Sequence, residues 1–284
     1  MHIRSLMGAT ALAVALLAAH SAFAFDDSKY PNLKGQWERV GNPNWLKTGG
    51  DGGVRTLPSP PPGLFTPEYE AVYNANRVEQ EGGGTGNVPS TFCFPQGMPM
   101  MMNIYDPMEI IVTPETTYIL ISHVNDSYRR IYTDGRDWPT DPELNFAGYS
   151  IGKWIDEDGD GKYDVLEVET RDFKGPRAYD ASGLPLSQDN KSVIKERFHL
   201  DKNDPNTLYD DMTVYDDALT RPWSITKTAK RNPNPRPKWH TDVCADDNPW
   251  VRVEDQAYYR SADGKLMPTK KDQRPPDLRY FKTK

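Results

Sequence analysis

The chain has 284 residues, with 34 Lys and Arg against 41 Asp and Glu, a formal net charge of −7. That surplus of carboxylates argues against a binder of nucleic acid or of an anionic membrane surface, because both need a basic face to offset phosphate. Apolar residues make up only 37% but aromatics reach 11%, and 25 prolines with 21 glycines disfavour a helical bundle and favour short strands joined by turns and long loops.

Residues 1–24 read as a secretory signal peptide. His2 and Arg4 give a short positive start, Ala9 to Ala19 is small and apolar apart from Thr10, and Ala22-Phe23-Ala24 is a small-x-small cleavage site. The apolar run is shorter than the roughly 20 residues that span a bilayer. Cleavage after Ala24 removes Arg4 and takes the formal charge from −7 to −8. No later apolar run is long enough to cross a membrane, so the expected product is soluble and periplasmic or secreted. Export gives the two cysteines meaning. Cys93 and Cys244 lie 151 positions apart in an oxidising compartment, which predicts one disulfide.

Residues 25–107 form an N-terminal arm, mostly loop, with one short strand over Gln36 to Val40. Gly49 to Gly53 and Pro60 to Gly63 punctuate it. The one helix expected is 66–81: Thr66 can cap it, Pro67 suits its first turn and Gly82 lies just past its end. Tyr69, Val72 and Tyr73 give it an apolar stripe.

Residues 108–230 carry the strand signals. Glu109–Val112, Thr117–Ser122, Tyr128–Thr133, Tyr149–Ile155, Val165–Thr170, Ser192–Leu200, Thr207–Tyr215 and Trp223–Lys230 are rich in Val, Ile, Thr and Tyr and separated by turn residues. Consecutive hairpins predict an antiparallel meander, and closure into a barrel removes its edges. Residues 231–284 are rich in Pro and charge and are expected to wrap the barrel, tied down by Cys244.

Several segments carry a resemblance. Tyr128 to Arg136 (YRRIYTDGR), Gly148 to Trp154 (GYSIGKW), Val168-Glu169-Thr170, Glu196-Arg197-Phe198 and Thr220-Arg221-Pro222-Trp223 are similar to a family of exported bacterial proteins of no settled activity. Cys93 with Pro95, Gly97, Met98 and Pro99 resembles it too. The likeness covers most of residues 92–250 and implies a lipocalin-like, or calycin-like, β-barrel. It implies no particular chemistry.

Asp156 to Glu167 (DEDGDGKYDVLE) satisfies the calcium-loop spacing at every required place. A hard cation takes six to eight oxygens. Asp156, Asp158, Asp160 and Asp164 with the Lys162 carbonyl would supply them, and Glu167 would close the shell. The flanks read as strands, so the expectation is a structural Ca2+ loop between two strands. The resembling family has a shorter turn here, which makes the metal peculiar to this chain.

Other cofactors are disfavoured. There is no phosphate-binding or dinucleotide fingerprint, hence no nucleotide cofactor, and His123, His199 and His240 have no zinc spacing. Met98, Met100, Met101 and Met102 are soft donors, but thioethers more often fill gaps against aromatics.

Polar groups on the strands suggest a lumen site. Arg130, Tyr132 and Asp134 share one face by alternation, and Glu196 shares one with Ile194 and Phe198. Charges on an inward face must be paired. Arg130, Asp134, Arg136, Glu196 and Asp216 could form such a network. The expected ligand site is Arg130, Tyr132, Arg136, Trp154, Glu196 and Trp223, an aromatic wall with few polar groups. The first expectation is a small-molecule binding barrel for an aromatic or lipid-like ligand. The alternative is a hydratase, hydrolase or isomerase with Asp134 or Glu196 as acid–base and Arg130 or Tyr132 stabilising charge. A surface interaction protein is the third.

Overall fold

Nine strands close into a barrel in the computed structural model, which describes residues 25–41 and 60–273 except 83, 87, 104, 105, 124, 240, 242, 243, 245–248, 255 and 262. The signal peptide, the Gly49–Gly53 stretch and His240 lie outside the described residues. The strands are β1 (Gln36–Arg39), β2 (Met108–Val112), β3 (Thr116–His123), β4 (Asn125–Tyr132), β5 (Tyr149–Ile155), β6 (Val165–Arg171), β7 (Val193–Leu200), β8 (Thr207–Tyr215) and β9 (Trp223–Arg231). They follow one another around the barrel in chain order. β1, from the N-terminal arm, closes the ring between β2 and β9. All neighbours are antiparallel except β4 and β5, which pair in parallel at Ile131–Ser150 and Tyr132–Ile151 only. The long 133–148 connection makes this possible, since parallel neighbours need a crossover.

Alternation sends one residue in two inward. Trp37, Ile131, Ile194, Met212 and Val214 are wholly excluded from solvent, and each such side chain contributes roughly 1.5–3 kcal/mol relative to exposure. Trp37 donates its indole N–H to the Leu33 carbonyl at 2.9 Å, which anchors the arm as the barrel closes.

The single α-helix among the described residues, α1 (Pro67–Glu81), lies across one barrel end. Thr66 occupies the cap position with extended backbone but makes no side-chain cap hydrogen bond. The helix start is tied instead to the β8–β9 turn: Thr66 donates to the Ala218 carbonyl and Thr220 to that of Leu64. Tyr73 and Asn76 are its buried residues. The connection 172–192 and the segment Met98–Asn103 plug the same end. Met98, Met101 and Met102 are packed into the main core, so the methionines fill space there.

Cys93 and Cys244 are bonded, as expected from export. The C-terminal arm carries a feature its composition conceals, a three-stranded antiparallel sheet of β10 (Trp250–Val253), β11 (Gln256–Arg260) and β12 (Leu266–Pro268). No helix among the described residues is long and apolar enough to cross a membrane.

Candidate functional site

The inward face of β4 carries Arg129, and Arg130 points out. The β3–β4 register decides this. Arg129 lies opposite Ile119, whose face is buried, while Arg130 lies opposite half-buried Tyr118. Inside the barrel Arg129 donates to both carboxylate oxygens of Glu196, at 2.9 and 2.7 Å, and to Thr170 at 3.1 Å. Both side chains of the pair are fully excluded from solvent. The internal network expected around Arg130 is therefore built on Arg129. Of the residues expected in it, Glu196 alone takes part.

A second buried pair of ionisable groups escapes residue-by-residue reading. Asp210 and Lys227 are cross-strand neighbours on β8 and β9, both directed inward. Lys227 donates to the Asn103 side chain. Both Asp210 oxygens are buried without a hydrogen-bond partner among the described residues. Burial, with the charge of Glu196 added, pushes the Asp210 carboxyl well up, and burial lowers the Lys227 ammonium to about 8. The signal was present in the sequence, since Asp210 alternates with Leu208, Met212 and Val214.

The remaining expected site residues are dispersed. Arg130, Tyr132 and Arg136 do come together, but on the outer wall: the Arg136 guanidinium lies 3.8 Å from the Tyr132 ring centre and that of Arg130 5.6 Å. A groove of about 600 Å³ opens there between Arg130, Tyr132, Tyr149 and the 139–149 loop. Asp134 is exposed and held by Arg136, whose hydrogen bonds bring its carboxyl down to about 2, too acidic to serve as a general acid near neutrality. Trp154 and Trp223 belong to opposite barrel ends, as the β5–β9 register requires. Trp154 packs on Tyr30 at 5.2 Å and Trp223 on Tyr179 at 5.4 Å.

The acidic loop joins β5 to β6, two strands, as read. Ligand atoms of Asp156, Asp158 and Asp164 lie within 4.8 Å of one another. Asp156 accepts from the Gly159 and Gly161 amides and Asp164 from that of Glu157, which holds these carboxylates in place. Asp160 accepts from the Lys162 amide and is not in the cluster. Glu167 is also outside it, because as a strand residue it faces Arg197 on β7 and pairs with it at 2.6 Å. The donor set suits a hard cation in kind, with three carboxylates present and the rest of a shell still to be found.

A cavity walled by several hydrogen-bonded elements lies at the plugged end. It has a volume of about 410 Å³ and sits between α1, the 175–190 segment and the chain around the disulfide. Val72, Phe92, Leu184 and Leu186 give it apolar walls, and Arg177 lies among the lining residues. Several contacts hold its shape. Asn76 and Gln80 of α1 donate to the Gly183 and Ala181 carbonyls, at 2.9 and 3.0 Å, and the Gln188 amide donates to the Tyr69 hydroxyl. The turn at Gly183 has φ +80°, which glycine adopts without strain, and a Cβ there would press on Asn76 at 3.2 Å. Arg177 is 8% exposed and donates to Asn190, to the Met98 carbonyl and to Ser192. Nothing in the local sequence, Lys174-Gly175-Pro176-Arg177, marks that arginine as buried.

The fold and these sites define a closed nine-stranded barrel, consistent with a calycin-like form, with a cavity at one mouth. No family model, curated protein or solved structure matches the chain. The resemblance to the exported bacterial family thus rests on its motif residues alone; of what it implies, a closed and mostly antiparallel barrel is observed, with one parallel pair.

Proposed function

We propose that the protein is an exported member of that barrel family and binds a small molecule, aromatic or lipid-like in its body, at the barrel mouth. The observation that carries this is the 410 Å³ cavity, with apolar walls and a few polar groups, seated on a plug that is hydrogen-bonded from several elements. Volumes of about 300–1,000 Å³ and such linings are typical of small-molecule sites, and barrel mouths are a common place for them. The site therefore moves from the expected lumen to the mouth. The lumen near Glu196 is filled by Arg129, Thr170 and Ser150, and the mouth cavity is lined by α1, the 175–190 segment and the chain around the disulfide, not by the nine barrel strands.

Native mass spectrometry of the protein purified from its exporting host tests this reading. A bound small molecule is expected on the wild type and lost from Val72→Trp, which fills the cavity from the surface of α1. Retention of the molecule by Val72→Trp, with the variant folded, would place the ligand elsewhere.

We propose further that the loop 156–167 holds a structural calcium ion through Asp156, Asp158 and Asp164, with the Lys162 carbonyl and water completing the shell. Three carboxylates already drawn together support this, and an affinity of about 0.1–1 mM is all that an extracellular module needs. The enzymatic alternative is expected at Asp134 or Glu196; with Asp134 held by Arg136 and Glu196 by Arg129, it moves to Asp210 and Lys227, a buried acid and base whose pKa values are displaced toward each other. It predicts a turnover that Asp210→Asn abolishes in a folded protein.

A further inference from the structure

We infer that the mouth cavity selects a ligand bearing a carboxylate, with Arg177 as its partner. The inference deepens the proposed function and rests on the cavity being the ligand site.

The first ground is the charge of the lining. The chain carries an excess of acids, yet the charged residues lining this cavity are two arginines, Arg177 and Arg252, with no Asp or Glu among the described lining. Beside two guanidinium groups, Coulomb energy disfavours a cationic ligand and favours an anion.

The second ground is how Arg177 is held. A guanidinium has five N–H donors. Three are placed, on the Asn190 side-chain oxygen at 3.3 Å, the Met98 carbonyl at 3.1 Å and the Ser192 hydroxyl at 2.8 Å, and all three acceptors are neutral. The carboxylate that acts most on it, Asp216, is one step removed. Asp216 accepts from the Ser192 hydroxyl and from the Ser187 and Ala218 amides, so its charge is already engaged by three donors. Asp189, the other acid that acts on Arg177, is exposed and turned to the Lys191 amide. Buried charges in proteins are ordinarily paired directly. Burial accordingly brings the Arg177 guanidinium down to about 10, with Asp216 only partly offsetting it.

The third ground is stoichiometry. Two N–H groups remain on Arg177, one on each terminal nitrogen. They match the two oxygens of a carboxylate in a bidentate pair, the arrangement in which arginine is strongest. The Phe173 ring centre lies 4.1 Å from the guanidinium carbon, a cation–π contact that helps hold it. The ligand so defined is a monocarboxylate with an apolar body lying against Val72, Phe92 and Leu186.

Titration calorimetry on the full mature chain at pH 7.5 tests this, with octanoate and 4-phenylbutyrate set against the primary amides of the same two acids. At least one acid is expected to bind at least tenfold more tightly than its amide, with that preference reduced in Arg177→Lys and abolished in Arg177→Gln. Arg177 also ties Met98 to Ser192, so a glutamine variant that fails to fold is set aside. The comparison of acid with amide on the wild type then decides alone. Equal affinities for acid and amide overturn the carboxylate inference while leaving the cavity reading intact. Binding of neither overturns the inference as well, and the cavity reading is then judged by whether Val72→Trp loses the molecule that co-purifies.

Discussion

Replacing Glu196 by Gln removes the charge that faces Arg129 and leaves everything else in place. Both side chains are fully buried, and the two N–H···O bonds of 2.9 and 2.7 Å are charge-assisted. The amide can accept only one of them, and its NH2 group is turned against the guanidinium. Breaking a buried pair by removing one partner costs about 3–5 kcal/mol, because the remaining charge is stranded away from water. For a domain of this size that is a loss of roughly 10 °C in melting temperature, at about 2–4 °C per kcal/mol. Urea unfolding followed by tryptophan fluorescence measures it directly. The double variant Arg129→Met, Glu196→Leu should recover most of the loss, since the pair is then replaced by packing and Ser150 and Thr170 still bond each other at 2.9 Å. A Glu196→Gln variant within about 1 kcal/mol of wild type would refute the reasoning, and with it the role of this pair as the fixed centre of the barrel.

Millimolar calcium should raise the melting temperature of the wild type but not of Asp156→Ala or Asp158→Ala, while Glu167→Gln, which is engaged with Arg197, should keep the response; a scan unchanged by calcium removes the metal site. Asp210 makes stability depend on pH in a defined sense. Its carboxyl is raised on folding, so the folded state holds the proton longer, and stability falls as pH climbs from the ordinary carboxylate range toward the raised value. Asp210→Asn should therefore be at least as stable as wild type at pH 7.5 and gain nothing at pH 4; a variant markedly weaker at pH 7.5 contradicts this. Lys227 acts at the alkaline end. Its ammonium is lowered to about 8 from 10.5, so its burial penalty is present at neutral pH and is relieved as pH rises between those values. Lys227→Met should abolish that alkaline gain, visible as a flat melting temperature from pH 8 to 10. Reducing Cys93–Cys244 opens a loop of 151 residues, worth about 5 kcal/mol on chain entropy, and should also weaken ligand binding, because Phe92 and Phe94 beside the bridge line the mouth cavity. Binding unaltered by reductant would separate the disulfide from the site.

The strands were legible because alternation and turn residues act locally. β5 and β8 begin and end where the pattern places them, and the helix stops at Gly82 as its glycine suggests. What escaped was set by partners distant in sequence. Either face of Tyr128–Tyr132 offers one arginine, and only the pairing of Arg129 with Ile119 and Glu196 selects the inward one. The parallel β4–β5 contact depends on where a long loop returns. The β10–β12 sheet lies in a stretch whose charge masks Trp250, Val251 and Tyr258. The acidic loop joins two strands, as its flanks predict, yet the same strand geometry hands Glu167 to Arg197. Arg177 illustrates the general limit. Its significance comes from burial by α1 and the plug, and no periodicity announces it.

A crystal structure of the protein purified with its native ligand bears most directly on the central claim. The account predicts ligand density between α1 and residues 175–190, with an acid group on Arg177. Density inside the barrel beside Glu196 and Asp210, or in the outer groove over Arg130 and Tyr132, would contradict it.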